Sequence, residues 1–315
     1  MEGYDIHRRN GMGDTPLAWA ARNGHEGVVK ILLARDDIDL DKRDSEGRSP
    51  LWWAALNRHG GVVKMLLERD DIYPDWPDRR GRTPLLQAAC KGHEGVVKLL
   101  LGRSNVNPNE LDQGGRTPLW WAVRNGHVGV VKILLERDDV HPKMMNDIFE
   151  TPLRVATRNG DERVVRLLLE RGDVNPEEPD EEALTALGSA ARYGFEGVVK
   201  LLLGGDDVNP NEPDELGRTP LWWAARNGRE GVVRILLGRD DVFPSNQDLD
   251  GRTPLHSAAF HGHEGVVEIL LARDDVTPNK PGNDGKTPLW WATANRHAGV
   301  IALLQPPTSP THSTA

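Results

Sequence analysis

Hydrophobic and polar positions recur along this chain in a single pattern with a period of 34 residues. Each copy starts with Thr or Ser, carries two apolar clusters separated by a short polar turn, and ends in a polar stretch. The apolar positions cover a wide face and do not alternate, which predicts two helices per copy and no long strands. A fixed period of this size predicts tandem units that bury their apolar faces against their neighbours. The starting residues are Thr15, Ser49, Thr83, Thr117, Thr151, Thr185, Thr219, Thr253 and Thr287.

The copy at residues 217–250 illustrates the predicted elements. Thr219 is a suitable N-cap, and the proline after it suits the first helical position, which predicts a helix over Pro220–Arg226. Asn-Gly then ends this helix, and a second helix is expected over about residues 230–238. The polar stretch that follows ends in an Asp-x-x-Gly turn and should project as a hairpin-like finger.

One position has the same residue in every copy. The fifth residue after the starting Thr or Ser is always alanine, which predicts the closest contact between helices, because a larger side chain would overpack it. The residues are Ala20, Ala54, Ala88, Ala122, Ala156, Ala190, Ala224, Ala258 and Ala292.

The recurring residues Gly-Arg-Thr-Pro-Leu-x-x-Ala-Ala-x-x-Gly-His-x-x-Val-Val-x-x-Leu-Leu resemble the ankyrin repeat, and residues 251–271 contain nearly all of them. The resemblance implies an all-α solenoid of helix-turn-helix units with β-hairpin-like fingers, which binds partner proteins on its concave side. It divides the chain into a lead-in at 1–10, nine repeats at 11–304, and a tail at 305–315 that we expect to be disordered. The long array also resembles those of fungal ankyrin-repeat proteins, which often accompany a separate effector domain.

The copies depart from the family pattern in ways that affect the surface. The period is 34 instead of the usual 33, and most fingers are longer and contain proline. A pair of tryptophans follows the starting triplet in four repeats, and its first member stands where the family usually has a histidine. We expect the second tryptophan of each pair to fill the core, whereas the first could pack or remain partly exposed for binding. The pairs are Trp52-Trp53, Trp120-Trp121, Trp222-Trp223 and Trp290-Trp291.

Composition narrows the classes of function. A net charge of −9 argues against nucleic acid as a partner. Cys90 is the single cysteine, which excludes an internal disulfide and suits a reducing compartment. No apolar run approaches the roughly 18 residues of a membrane span. The sequence therefore predicts an intracellular protein without membrane insertion, located in the cytoplasm or alternatively the nucleus.

Residues that could carry chemistry are repeated copies, which argues against a localised catalytic site. Histidines recur at the repeat spacing, and equivalent positions about 10 Å apart cannot share one metal ion. Paired aspartates recur after the second helices, and preceding arginines suggest a structural Arg/Asp ladder. We therefore predict no catalytic residue, no cofactor and no metal site.

Candidate binding residues are instead found where the repeats differ. Arginines at the ends of five first helices could bind a partner's carboxylates bidentately, or form a solvated row. In the finger at 144–149, apolar residues replace charged ones, and the next finger, at 177–182, is acidic. These two fingers indicate either a partner-selecting patch or a degraded part of the array. Trp76 lies in a finger and is a candidate for an exposed contact. The candidates are Arg22, Trp76, Arg124, Met144, Met145, Phe149, Arg158, Arg192, Tyr193 and Arg226.

These features predict a non-enzymatic scaffold or adaptor that recognises a protein partner through the concave face and fingers. The alternative is the recognition array of a larger signalling or NLR-like protein whose effector domain is not in this chain. The first repeat keeps the apolar pattern of the internal ones, although stacks need polar caps. This uncapped repeat is therefore expected to contact another domain or subunit.

Overall fold

The computed structural model describes residues 8–11, 13–179, 184–205 and 208–305. Regular structure in these residues consists of eighteen helices, two in each repeat, without strands. Residues 306–315 of the predicted tail and residues 180–182 of the predicted acidic finger lie outside the described residues. The first helices of the repeats are α1 (Pro16–Arg22), α3 (Pro50–Leu56), α5 (Pro84–Lys91), α7 (Pro118–Arg124), α9 (Pro152–Asn159), α11 (Ala186–Tyr193), α13 (Pro220–Arg226), α15 (Pro254–His261) and α17 (Pro288–Ala294). The second helices are α2 (Glu26–Leu33), α4 (Gly60–Leu67), α6 (Glu94–Leu101), α8 (Val128–Leu135), α10 (Glu162–Leu169), α12 (Glu196–Leu203), α14 (Glu230–Leu237), α16 (Glu264–Leu271) and α18 (Ala298–Leu304).

The predicted helix starts are confirmed in detail. The hydroxyl of Thr219 accepts a hydrogen bond from the backbone N–H of Trp222 at 3.2 Å, and Pro220 occupies the first turn of α13. This arrangement satisfies one of the amide groups that a helix N-terminus leaves unpaired. Gly228, in the turn after α13, has a φ of +65°, which favours glycine.

The chain divides into two compact units. The N-terminal unit comprises Met1–Ala156 with Arg166–Val174, and the C-terminal unit comprises Thr157–Val165 with Asn175–Ala315. In the N-terminal unit α1, α3, α5 and α7 pack side by side in sequence order, and α2, α4, α6 and α8 form a second row. The C-terminal unit repeats this arrangement with α11, α13, α15 and α17 in one row and α12, α14, α16 and α18 in the other.

The nine alanines predicted at the closest helix contact are all buried, each with an exposure of 0%. They lie in the middle of the first helices, which pack against the first helices of neighbouring repeats within each unit. A methyl group at this position lets two helix backbones approach, so the position excludes larger side chains.

Histidines join five of the repeats to the one before. The Nε2 atom of His59 lies 3.0 Å from the carbonyl oxygen of Arg22 at the end of the preceding first helix. The histidine side chain at this position therefore forms a hydrogen bond between neighbouring repeats. The same bond joins His93 to Leu56, His127 to Cys90, His263 to Arg226 and His297 to Phe260.

Arginines that follow the second helices join neighbouring repeats in the second row of helices. Arg69 donates from Nη1 to the carbonyl oxygen of Leu33 at 3.1 Å, and from Nε to Asp71 at 3.0 Å. The guanidinium thus pairs a free carbonyl at the end of the preceding helix and holds a carboxylate that the helix dipole would otherwise disfavour. The predicted Arg/Asp ladder is confirmed at this repeat, and Arg137, Arg239 and Arg273 repeat it.

The fingers are hairpin-like turns. In the finger leading into the second repeat, Asp44 donates its backbone N–H to the carbonyl of Arg48, and Gly47 donates to the carbonyl of Asp44. Gly47 has a φ of +80°, so the turn requires the left-handed region that favours glycine. Adjacent fingers are joined by a backbone hydrogen bond, as from Arg79 to Glu46 at 2.9 Å.

Candidate functional site

Three of the fingers are each held to the repeat that follows by an aspartate, an arginine and a tryptophan, which we call the finger network. The carboxylate of Asp44 accepts hydrogen bonds from the backbone N–H groups of Glu46 and Arg48, from Arg48 Nε at 2.8 Å, and from Trp53 Nε1 at 3.1 Å. Four donors on one buried carboxylate make the finger a rigid extension of the helix pair. The same network is formed by Asp112, Arg116 and Trp121, and by Asp214, Arg218 and Trp223.

The pKa shifts in opposite directions at Asp112, which lies in a complete network, and at Asp248, which does not. At Asp112, burial acts to raise the pKa, but hydrogen bonds from Arg116, Gly114 and Trp121 outweigh it and hold the pKa below its usual value. Asp248 leads into the eighth repeat, where no indole is present, and burial raises its pKa.

The tryptophan rings are also covered by the preceding repeat. The guanidinium of Arg22 lies 4.2 Å from the ring centroid of Trp53, and Arg192 lies 4.6 Å from that of Trp223. These are cation–π contacts between residues 31 positions apart. Phe260 covers Trp291 in the same way, with ring centroids 5.1 Å apart.

The five arginines predicted as a row therefore have different surroundings. Arg22 is half-buried and also pairs with Asp14 at 3.5 Å. Arg124 and Arg158 are exposed. Arg226 is exposed and lies 5.5 Å from the ring centroid of Trp222.

The aromatic candidates Trp76 and Tyr193 lie beside other rings or cations. Trp76 is half-buried between the guanidinium of Arg43 at 4.3 Å and the ring of Tyr73 at 4.9 Å. Tyr193 is 41% exposed at the end of α11, with the ring of Phe195 5.9 Å away.

The first tryptophan of each pair packs in three of the four pairs. Trp52, Trp120 and Trp222 are 3–5% exposed, so the packing alternative holds for them. Trp290, in the ninth repeat, is 45% exposed.

The apolar finger at 144–149 is exposed at its tip. Phe149 is 66% exposed, Ile148 57% and Met145 41%, while Met144 is half-buried. Phe149 has a φ of +53°. The equivalent residue in the other described fingers is a glycine with a φ between +69° and +84°, as at Gly47, Gly81, Gly115, Gly217, Gly251 and Gly285, and at Gly13 before the first repeat.

Other exposed apolar residues on fingers were not identified from the sequence. Leu216 is 50% exposed and Leu249 67%, and they occupy neighbouring fingers joined by a hydrogen bond from the N–H of Leu249 to the carbonyl of Leu216. Phe243 is 58% exposed. The only sequence signal was an apolar residue inside or beside an otherwise polar turn.

Comparison with protein families agrees with this architecture. The model of ankyrin repeats, described as three copies, matches residues 1–75, 71–146, 139–214, 206–280 and 240–313. The chain belongs to the ankyrin-repeat family. Such repeats generally serve as protein–protein interaction modules and are typically binding scaffolds without enzymatic activity.

A solved structure supports the same conclusion. The crystal structure of the human ASB11 ankyrin repeat domain is 27% identical in sequence and superposes with a TM-score of 0.61. The match covers 72% of this chain and all of that one. No curated protein matches this chain.

The eighth ankyrin repeat retains the histidine of the family. His256 Nδ1 accepts a hydrogen bond from the backbone N–H of Thr253 at 3.1 Å, and Nε2 lies 3.3 Å from the carbonyl oxygen of Lys286. In the second ankyrin repeat, Trp52 takes this place and donates its indole N–H to Arg82 at 2.8 Å. Trp52 thus replaces one of the two bonds of the family histidine and adds apolar area, whereas the indole N–H groups of the equivalent Trp120 and Trp222 have no partner among the described residues.

Two kinds of site have no counterpart among the described residues. No group of three or more His, Cys, Asp or Glu side chains there could hold a metal ion. None of the helices in the described ranges combines the length and apolarity needed to cross a bilayer.

Asp75, in the finger leading into the third repeat, is a buried carboxylate with one oxygen unpaired. Its Oδ2 accepts from the N–H of Asn107 at 2.7 Å, but Oδ1 has no partner among the described residues. Burial, with a smaller contribution from Glu110, raises the pKa of Asp75 to about 6. Asn109, its equivalent in the next finger, accepts from His141 and donates Nδ2 to the carbonyl of Asp139 at 2.6 Å.

Asp75→Asn is therefore expected to stabilise the protein above pH 6. The native carboxyl holds its proton to about pH 6, whereas an unfolded aspartate loses it near pH 4. The native state binds more protons between these values, so stability falls as pH rises from about 4 to 6. In urea unfolding, the variant should have a higher midpoint at pH 7 and lose this advantage near pH 4. The reverse change, Asn109→Asp, should lower the midpoint at pH 7, and a gain in that variant would contradict the explanation.

Proposed function

We propose that this chain is a non-enzymatic scaffold or adaptor that binds a partner protein through its fingers and the ends of its first helices. The observation that carries the proposal is Phe149. A phenyl ring stands exposed at a backbone conformation that other fingers give to glycine, and a non-glycine residue there costs on the order of 1 kcal/mol. Recognition of a partner would account for keeping it.

The finger at 144–149 supplies the apolar part of the proposed surface. Met145, Ile148 and Phe149 are all exposed, and methionine adapts its shape to an apolar partner. The finger network anchors neighbouring fingers through buried carboxylates, so little conformational entropy is lost when a partner binds. A rigid base with adaptable side chains is suited to a protein interface.

The first-helix ends supply the cationic part. Arg124 and Arg158 are exposed and would offer their guanidinium groups to carboxylates. Arg22 and Arg192 stack on tryptophans, which leaves the edges of the guanidinium groups as the contact surface. Trp76, Tyr193 and Arg226 complete the proposed set.

Changing Met144, Met145 and Phe149 together to serine is expected to remove partner binding. Three apolar anchors at about 1 kcal/mol each correspond to roughly a 100-fold loss of affinity. Affinity purification with mass spectrometry would identify the partner, and titration calorimetry with both purified proteins would measure the loss. The circular dichroism spectrum should not change.

Leu111→Ser is the matched control, because Leu111 is a 42%-exposed apolar residue of another finger in the same unit. It should leave affinity within about twofold. Unchanged affinity in the triple variant would refute the role of the finger. Phe149→Gly separates binding from strain, since it should weaken binding while raising the unfolding midpoint.

The second candidate function is that of the recognition array of a larger signalling or NLR-like protein. In that case the first repeat would contact another domain or subunit. This candidate is favoured by the first repeat, where Val28 is 44% and Ile31 71% exposed, whereas Val62, the equivalent of Val28 in the second repeat, is buried. The same purification distinguishes the candidates. Cross-links from Lys30, between these residues, to another domain or subunit would favour the second.

A further inference from the structure

The eighth repeat lacks the tryptophan on which the finger network depends. Ser257 stands at the position of Trp53, Trp121, Trp223 and Trp291. In the second and seventh repeats, the indole at this position contacts the arginine of the preceding repeat and the aspartate of its own finger. In the eighth repeat neither contact exists.

The arginine and aspartate at this place are accordingly rearranged. Arg226 has no indole of the next repeat to cover. The carboxylate of Asp248 accepts hydrogen bonds only from the backbone N–H groups of Asp250 and Arg252. Arg252 turns away from it and lies 3.6 Å from Asp250 and from Asp284.

The missing indole leaves a pocket of about 180 Å³ within the C-terminal unit. Trp222, Phe260 and Trp291 form apolar walls, Arg226 and Arg252 contribute cations, and Ser257 also lines it. The pocket is large enough for one side chain of a partner. Its lining comes from the first helices of the seventh, eighth and ninth repeats and from Arg252.

Four buried polar atoms of this lining have no hydrogen-bond partner among the described residues. They are the indole Nε1 atoms of Trp222 and Trp291, Nε of Arg252 and the hydroxyl of Ser257. Trp222 and Ser257 are more than nine-tenths buried. Unpaired buried groups are rare because each costs free energy, and a cluster in one pocket indicates a ligand that pairs them.

The chemistry of the four atoms selects the kind of ligand. Three are obligatory donors and the fourth, a hydroxyl, can also donate, so the ligand must bring acceptors. The origin of one orphan donor is clear, since Gly282 replaces the aspartate that would accept from Trp291. An aromatic side chain would fill the volume but would leave these donors unpaired.

The charge balance points in the same direction. Arg226 forms no ion pair within the described part of the chain, and partial burial of its guanidinium, together with the neighbouring Arg218 and Arg192, lowers its pKa. His256 and His261 also line the pocket, and burial lowers the pKa of both, which keeps them neutral at pH 7. An anion is therefore favoured over a neutral acceptor.

We propose that this pocket binds an aspartate or glutamate side chain of an extended segment of the partner protein. The aliphatic stem would pack against the aromatic walls, and the carboxylate would accept from Arg226, Arg252 and the unpaired donors. This proposal rests on the proposed function, of which it defines a specificity-determining site.

The test is selection of randomised linear peptides, displayed on phage, against the full chain. Selected peptides should share an acidic position beside an apolar residue. Replacing that residue by Gln or Asn in the synthetic peptide should weaken binding at least tenfold. On adding the peptide, the indole N–H resonances of Trp222 and Trp291 should shift, while that of Trp53, already bonded to Asp44, should not.

Two variants locate the site. Ser257→Trp installs the residue that five other repeats carry, Trp19 in the first repeat included, so it should fold, fill the pocket and reduce peptide binding at least tenfold. Arg226→Gln should reduce it similarly, and Arg234→Gln, at an exposed position of α14 in the same repeat, should leave it within twofold.

Three results would overturn the proposal: no enrichment of acidic residues, undiminished binding to the Ser257→Trp variant, or binding that follows the peptide's terminal carboxylate. These failures are distinct from failure of the scaffold function. If the partner still binds through Met144, Met145 and Phe149, the proposed scaffold function holds and only the proposed pocket is refuted.

Discussion

Replacing Asp214 with alanine is expected to lower the free energy of unfolding by about 3 kcal/mol. The carboxylate accepts from two backbone N–H groups, from Arg218 Nε at 2.8 Å and from Trp223 Nε1 at 3.1 Å. Removing it strands a buried indole donor and a guanidinium, and each unpaired buried group costs about 1–3 kcal/mol. Urea unfolding followed by tryptophan fluorescence would measure the loss.

Asp248→Ala is the matched control for this prediction. The two aspartates occupy equivalent turns of the same unit, but Asp248 has neither the indole nor the arginine side chain as a donor. Its loss should cost only about 1 kcal/mol, which corresponds to weakened turn bonding. Equal losses in the two variants would mean that the turn, and not the finger network, provides the stability.

Replacing Ala224 with leucine should have the second largest effect, a loss of about 1–3 kcal/mol. Ala224 is fully buried in α13, which packs between α11 and α15, so three additional carbon atoms would push the helices apart. Thermal unfolding should show a melting temperature lower by several degrees.

Ala272→Leu provides the comparison, because Ala272 is exposed at the end of α16 in the same unit. The change should stay within about 0.5 kcal/mol. If Ala224→Leu melts like the wild type, the alanine position is not the closest helix contact.

Local structure could be predicted from the sequence because each signal acts over a few residues. Thr219 and Pro220 define a helix start, and the helix Pro220–Arg226 has the predicted ends. The spacing of 34 residues likewise placed the recurring histidines too far apart to share a metal ion.

The surface could not be predicted in the same way, because it depends on contacts between repeats. In the sequence, nothing near Arg22 indicates a contact for its guanidinium. Packing places the ring of Trp53, 31 residues later in the chain, against it. Ser257 looks like a neutral substitution until the surrounding repeats supply the walls of a pocket. The backbone of Phe149 could be inferred only from the glycines that replace it in other fingers.

The bonds from His59 to Arg22 and from Arg69 to Leu33 run in one direction, from each repeat to its predecessor. The second, third, fourth and eighth copies each carry both donors, the histidine and the arginine, and backbone carbonyls supply the acceptors. Loss or duplication of one of these copies therefore joins ends that already match. The array can therefore change its length in evolution without compensating mutations. An insertion or deletion that is not a multiple of 34 residues would instead separate the donors from their acceptors.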